Sequence, residues 1–348
     1  MEALSNGRDI EWPHEVRFNR ITDGLSGVDQ LFGELLRQHL KIVGENSIDI
    51  HMHHCTVVDI AKLCLGELIV MATNLKNWPY PTLFAHRGGG ALAPENTLAA
   101  MAMGHKYSYR AVEFDVKLSH DNVAVLMHDA SLERTTDGIG LVCEMSISQL
   151  ESLDAGAWHS EIFRGERIPR LTSISRYMHS IGMMANVEIK ACPGREVETG
   201  RVVAELCDEL WRDRLVKPLI SSFSMEALRA ARDAAPTLPM GLLVEVPAEK
   251  NLTFLDELGG VSLHCNHEKV TAELVHFFHR HQYRVMTYTV NEPSRVRALL
   301  EMGVDGIFTD NLEVMAQQFP EQLTDAGKPI PNPGDSDFVW PLDIPPIG

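Results

Sequence analysis

Glu113 and Asp115 stand two residues apart in the apolar run VEFDV (112–116), and Glu188 and Lys190 stand two apart in NVEIK (186–190). Side chains of an extended strand alternate faces with period two, so the two acids share one side while Phe114 takes the other. By the same rule Glu188 shares a face with Lys190. Three carboxylates and one ammonium then converge, an arrangement that is costly unless something neutralises it. Three carboxylate oxygens make a hard site suited to Mg2+ or Ca2+ rather than to zinc. The competing reading is an internal salt-bridge network in which Lys190 pairs with Glu113 or Asp115. Two histidines flank the cluster, His86 opening HRGGG (86–90) and His128 in VLMHD (125–129). A single histidine at a strand end is more often a hydrogen-bonded core residue. Two around a carboxylate cluster point to an acid and base pair, because imidazole titrates near neutral pH. Arg87 and Lys190 supply cations for an anionic substrate. Gly88, Gly89 and Gly90 permit a tight turn and close backbone approach to a ligand. A helix beginning near Asn96 would offer free N–H groups, with Asn96 as its N-cap. Together these residues spell metal-assisted hydrolysis of a phosphate ester.

The elements that must position them are legible as short apolar runs separated by helical windows between about residues 80 and 319. The runs are LFAH (83–86), VEFDV (112–116), NVEIK (186–190), LISSF (219–223), GLLVE (241–245), VSLHC (261–265), VMTYTV (285–290) and GIFTD (306–310). Helical patterns fill 196–211, 271–280 and 292–302, among others. Strands alternating with helices imply βαβ units and a parallel sheet. Eight such units predict an α/β fold, a closed (β/α)8 TIM barrel. A doubly wound open sheet is the alternative, and its glycine fingerprint after the first strand is missing. A ninth run, 123–129, follows the second strand across the turn residues Ser119, His120, Asp121 and Asn122, too closely for a helix. It reads as a hairpin excursion after the second strand. Ser222, His264 and Tyr288 fall near the C-terminal ends of the fourth, sixth and seventh runs, where barrel enzymes build their sites.

Composition sets the outer bounds. The chain has 348 residues, 45% hydrophobic and 23% charged, which is ordinary for a globular protein with a real core. Its net charge of −17 makes nucleic acid and anionic membranes poor partners. Six cysteines without a Cys-x-x-Cys pair read as reduced thiols. The early apolar window 56–73 carries Asp59, Lys62 and Glu67 and is short for a bilayer span, so stable membrane insertion is not expected. The N-terminus has no basic region leading into an apolar stretch, and the expectation is a cytoplasmic protein. Residues 1–79 form an N-terminal extension of unassigned role, with Val28, Leu31, Phe32, Leu35, Leu36 and Leu40 at helical spacing. His51, His53, His54 and Cys55 within it are adjacent rather than spaced for one tetrahedral ion, so an adventitious His-rich loop is the favoured reading. The tail, 320–348, holds seven of the eighteen prolines and is expected to be extended or disordered. Oligomeric state is left open.

The same residues carry a pattern across about 78–319. HRGGGALAPENT (86–97), EFD (113–115), DNVAVLMHDASLERTTDGIG (121–140), DAGAW (154–158), EIK (188–190), SSF (221–223), YTVN (288–291) and GVDGIFTD (303–310) together resemble the glycerophosphodiester phosphodiesterase family. The likeness is greatest to the bacterial cytoplasmic enzymes of glycerol-phosphate uptake. That resemblance implies a TIM barrel with a small excursion after the second strand. It also implies hydrolysis of small glycerophosphodiesters, such as glycerophosphocholine and glycerophosphoethanolamine, to an alcohol and sn-glycerol 3-phosphate. By motif, Glu113, Asp115 and Glu188 would bind one divalent cation, Mg2+ or Ca2+, and His86 and His128 would be acid and base. Arg87 and Lys190 would hold the phosphate, with Ser222 and Tyr288 lining the substrate. Many members have Trp where Tyr288 stands, which bears on the glycerol wall. Attack by water and attack by the substrate's own glycerol hydroxyl, giving a cyclic phosphate, are both compatible with this set. A lysophospholipase D-type phosphodiesterase and a non-catalytic glycerophosphodiester-binding protein are the alternatives. The first needs an apolar channel, and the second would be expected to have lost a ligand or a histidine.

Overall fold

A computed structural model describes residues 78–323. The N-terminal extension before Trp78, with its helical pattern, its His-rich run and its apolar window, and the tail beyond Leu323 lie outside the described residues. Each apolar run becomes a strand: β1 (Leu83–Ala85), β2 (Ala111–Leu118), β3 (Ala124–Leu126), β4 (Met184–Ile189), β5 (Leu219–Ser222), β6 (Met240–Val244), β7 (Ser262–Asn266), β8 (Arg284–Tyr288) and β9 (Gly306–Thr309). Eight of them run parallel in the order β1-β9-β8-β7-β6-β5-β4-β2. β1 pairs with β9 through Leu83↔Ile307 and with β2 through Ala85↔Val112, so the sheet closes into the expected barrel. β3 lies outside it, antiparallel to β2 in the register Val116↔Leu126. This is the excursion, and it carries a small core of its own around Val125, Leu132, Val142, Leu150 and Ile168.

Helices close each unit. α1 (Leu98–Lys106) follows β1, and the excursion holds α2 (Ile147–Leu150). The ring continues with α3 (Leu171–Ile181), α4 (Glu196–Leu210), α5 (Met225–Ala234), α6 (Asn251–Leu258), α7 (Ala272–Arg280), α8 (Pro293–Met302) and α9 (Leu312–Gln318). Their starts are local chemistry: Thr97, Ser224 and Thr271 accept backbone N–H bonds as N-caps, and Pro293 opens α8. Among the described residues no helix is long and apolar enough to cross a membrane.

Because every barrel strand alternates, one set of side chains fills the interior and the other packs under the helices. At the N-terminal end the interior is closed by Trp78, Tyr80, Phe84, Leu219, Met286 and Phe308. Trp78 and Tyr80 meet edge to face at 4.9 Å, and the Tyr80 hydroxyl donates to the Lys217 carbonyl at 2.7 Å. An apolar plug therefore seals one end, with the buried Arg284 guanidinium stacked on Trp78 at 5.7 Å, and the cavity opens at the other.

The ring is tightest where α4 meets α5: a Cβ on Gly200 would lie 2.1 Å from the Ala227 carbonyl oxygen. Gly200→Ala should lower unfolding stability by about 1–3 kcal/mol, read as a fall in the urea midpoint. An unchanged midpoint would contradict this close approach.

Candidate active site

The C-terminal ends of the strands open on a cavity of about 200 Å3, lined by His86, Arg87, Glu113, Asp115, His128, Glu188, Lys190 and Tyr288 among others. Of the substrate and metal residues expected from sequence, only Ser222 is outside that lining. The reason is parity. In β5 the interior positions are Leu219 and Ser221, continued by Phe223, so Ser222 faces outward. Its hydroxyl donates to the Ile189 carbonyl at 2.6 Å and accepts from Ser224 N at 3.1 Å. Phe223 takes the place in the wall, 47% exposed, with its ring 5.8 Å from that of Tyr288. The Tyr288 hydroxyl is engaged on the Val244 carbonyl at 2.8 Å, and the residue lines the cavity.

Glu113, Asp115 and Glu188 are all buried, and each offers an oxygen within 4.8 Å of the other two. Strand register explains it: β2 and β4 pair Asp115 with Glu188, and Glu113 lies one pleat below on the same face. Lys190 lies 2.9 Å from Glu188 and 3.5 Å from Asp115, so part of the salt-bridge network exists, but it does not include Glu113. Arg87 approaches Asp115 at 3.7 Å yet spends its guanidinium on Glu95 at 2.8 Å. Asp115 also receives the Asn96 amide at 2.9 Å while its own N–H donates to the Asn96 oxygen at 3.0 Å.

The charges settle unequally. Burial works against ionising Asp115, but Lys190, His128, Arg87 and Asn96 hold its carboxyl below the usual range. Burial, then Asp115, raises Glu188 despite Lys190. Burial, reinforced by Asp115 and Glu188, pushes Glu113 up to about 8. Glu113 Oε2 accepts from Arg87 N at 3.0 Å, while Oε1 is buried with no hydrogen-bond partner. A buried carboxylate cluster with an unpartnered Glu113 oxygen and too little positive charge is what a hard divalent ion would complete. The residues present fit such an ion.

Each histidine is held by an acid. His86 Nδ1 donates to Asp310 Oδ1 at 2.7 Å, turning Nε2 toward Glu113 at 3.8 Å. Burial opposes its protonation, but Asp310 and Glu113 outweigh that and raise its pKa. His128 Nδ1 donates to Asp129 Oδ1 at 2.6 Å. Burial, with help from Arg87 and Lys190, lowers its pKa. Asp129 is gripped in turn by Arg134 at 2.5 Å, and Arg134 also holds Glu95 at 2.7 Å. A continuous chain of hydrogen bonds and ion pairs therefore runs from His128 through Asp129, Arg134 and Glu95 to Arg87.

Sequence reasoning missed Asp310, Asp129, Glu95 and Arg134 as partners, although all sit inside the quoted motifs. The available signal was parity: Asp310 is two residues past Phe308, on the interior face of its strand. One local expectation is corrected. Thr97, not Asn96, caps α1, accepting from Ala100 N at 3.2 Å. Asn96, at φ +60°, instead turns its side chain onto Asp115. None of the three glycines is among the residues that line the cavity. Gly90, at φ +52°, lies against the chain itself: a Cβ there would be 2.3 Å from the Asp310 carbonyl oxygen.

Residues 86–314 match the Glycerophosphoryl diester phosphodiesterase family. A glycerophosphodiester phosphodiesterase of Caldanaerobacter subterraneus subsp. tengcongensis is 31% identical over 237 residues, covering 67% of this chain and 95% of that protein. One from Bacillus subtilis is 28% identical over 279 residues, covering 73% and 94%. Among solved structures, a phosphodiesterase of Oleispira antarctica in complex with the product sn-glycerol-3-phosphate aligns with a TM-score of 0.66 at 31% identity, covering 69% and 97%.

With its pKa near 8, Glu113 holds a proton at pH 7 in the ion-free protein, and a bound cation must displace it. Calorimetric titration with Ca2+ or Mg2+ in buffers of different ionisation enthalpy should register release of about one proton per ion at pH 7, fading above pH 8. Glu113→Gln should abolish that release. Binding without proton release would contradict this charge distribution.

Proposed function

The chain belongs to the glycerophosphoryl diester phosphodiesterase family, and on that premise we propose that it hydrolyses glycerophosphodiesters, among them glycerophosphocholine and glycerophosphoethanolamine, to an alcohol and sn-glycerol 3-phosphate. The observation that carries this reading is the convergence of the buried Glu113, Asp115 and Glu188 with two acid-braced histidines and two cations on one cavity. The carboxylates would hold one divalent cation, Mg2+ or Ca2+. When bound, that ion supplies neutralisation of the phosphodiester and of the charge that gathers on its oxygens.

The rest is the work of the chain's own groups. Lys190 presents its ammonium at the cavity wall, and Arg87 presents a guanidinium fixed from behind by Glu95; both orient the phosphate. His86 and His128 divide the proton transfers. One withdraws a proton from the attacking hydroxyl as its oxygen bonds to phosphorus. The other delivers a proton to the alkoxide as the phosphorus–oxygen bond to it breaks. Asp310 and Asp129 keep each imidazole in one tautomer, with Nδ1–H donated and Nε2 free to exchange the proton. Phe223 and Tyr288 form the aromatic wall beside the mouth.

An assay coupled to glycerol 3-phosphate release, with chelator and metal add-back over a panel of headgroups, tests reaction, cation and range together. Activity should vanish with chelator and return with Mg2+ or Ca2+. His86→Ala and His128→Ala should each lower kcat by about 10²–10⁴-fold while ion binding persists. Near-normal turnover by either variant would sink the acid and base assignment. Preference for lysophosphatidylcholine would favour the lysophospholipase D reading. Binding of the diesters without release of any product would favour a binding protein.

A further inference from the structure

A second cavity, of about 500 Å3, lies outside the barrel between α3 and α4. Arg176 and His179 come to it from the C-terminal half of α3, Leu210 from the end of α4 and Arg214 from the loop that follows. Helices of this fold run against the strands they follow, so the ends of α3 and α4 lie at the plugged end of the barrel, away from the catalytic mouth. Both guanidiniums are exposed. Among the described residues neither has an ion pair or a side-chain hydrogen bond. Acids outnumber bases 48 to 31 in this chain, and two arginines on the same elements have found theirs. Arg170, just before α3, is held by Glu151 at 2.5 Å, and Arg201 on α4 is held by Glu205 at 2.8 Å. The groove differs: α3 carries no acid, and no carboxylate is among the lining residues.

The positive charge of the groove is therefore uncompensated. His179 packs edge to face on Trp211 at 5.0 Å, and burial, then Arg214, lower its pKa. Its imidazole is thus neutral at pH 7, and the two arginines set the local charge. Each helix C-terminus contributes roughly half a negative unit, so two of them offset at most about half of that charge. Two guanidinium forks on one hollow match the oxygens of a dianion, phosphate above all. The hollow is larger than a bare ion fills, and Leu210 gives it one apolar wall. We propose that Arg176 and Arg214 form a second anion site, which takes a phosphate monoester. The dianion sits between the guanidiniums, and its carbon substituent lies along Leu210. This site is separate from the catalytic cavity, needs no metal and does not depend on the phosphodiesterase reading. A soluble ester and a phosphatidic acid headgroup present the same group, and the test separates them.

The test uses the full-length protein, stripped of metal by chelator and dialysed, so that its three carboxylates keep anions out of the catalytic cavity. Calorimetry with sn-glycerol 3-phosphate at low ionic strength should show one site with a Kd of about 1 mM or tighter, the scale of two charge-assisted hydrogen bonds. Arg176→Ala and Arg214→Ala should each weaken it at least about tenfold. Neither side chain has a partner to lose, so both variants should melt with the unmodified protein. Arg212→Ala, exposed but outside the groove, and Lys190→Met, in the catalytic cavity, should each move the Kd by less than about twofold. In a second arm the protein is sedimented with vesicles of phosphatidic acid in phosphatidylcholine, against phosphatidylcholine alone. Selective sedimentation that Arg176→Ala abolishes would assign the phosphate to a lipid headgroup. No sedimentation, with binding of glycerol 3-phosphate intact, would assign it to soluble esters. Binding in neither arm would overturn the proposal, as would a Kd that either groove substitution leaves unmoved. Equal weakening by Arg212→Ala, or loss of binding in Lys190→Met, would overturn it too.

Discussion

Three carboxylates inside one barrel mouth cannot all ionise on their own, and most of the site is a response to that constraint. Lys190 supports Glu188 and Asp115, Arg87 and Asn96 support Asp115, and Glu113 is left holding the deficit. A salt-bridge network that served stability alone would be expected to pair its members, because an unpaired buried charge is costly. Here the deficit falls on a carboxyl with a buried oxygen that has no hydrogen-bond partner. Such an arrangement is one that a divalent cation could complete.

The positive groups of the mouth are scarce, and acids hold them in place. Arg87 is tied to Glu95, Glu95 to Arg134, Arg134 to Asp129 and Asp129 to His128. The strands can fix only Cα positions and faces; these pairs fix where the long side chains end. Arg134 is 43% exposed on its side chain, so solvent and salt screen the outer links, and the chain's value is orientation more than stability. His86 has its own brace in Asp310, beyond β9, which barrel closure carries back beside β1. One histidine thus owes its orientation to its sequence neighbour and the other to an acid 224 residues away.

Much of this was legible in the sequence, for a physical reason. Strand alternation and apolar runs are strong, local signals, so the eight barrel strands, the hairpin after the second and the shared face of Glu113 and Asp115 could all be read directly. The misreadings came where one residue of parity or one turn decides. Ser222 and Phe223 are neighbours, and only the register Ser221↔Gly241 shows which one points inward. Asn96 and Thr97 are both good caps, and only the proximity of Asp115 draws Asn96 away. The glycine triplet announced a close approach without saying to what, and the partner is a backbone oxygen more than 200 residues later. The pairing of His86 with Asp310 depends likewise on closure, which no local window contains.

The account stands on a cation completing the Glu113, Asp115 and Glu188 cluster. The most direct measurement is a crystal structure of the protein grown with Mn2+ as a stand-in for Mg2+ or Ca2+, with data collected to record manganese anomalous scattering. The account predicts one anomalous peak about 2.0–2.6 Å from an oxygen of each of the three carboxylates. Full occupancy elsewhere on the chain, with Glu113 still bare and Lys190 still on Glu188, would contradict it.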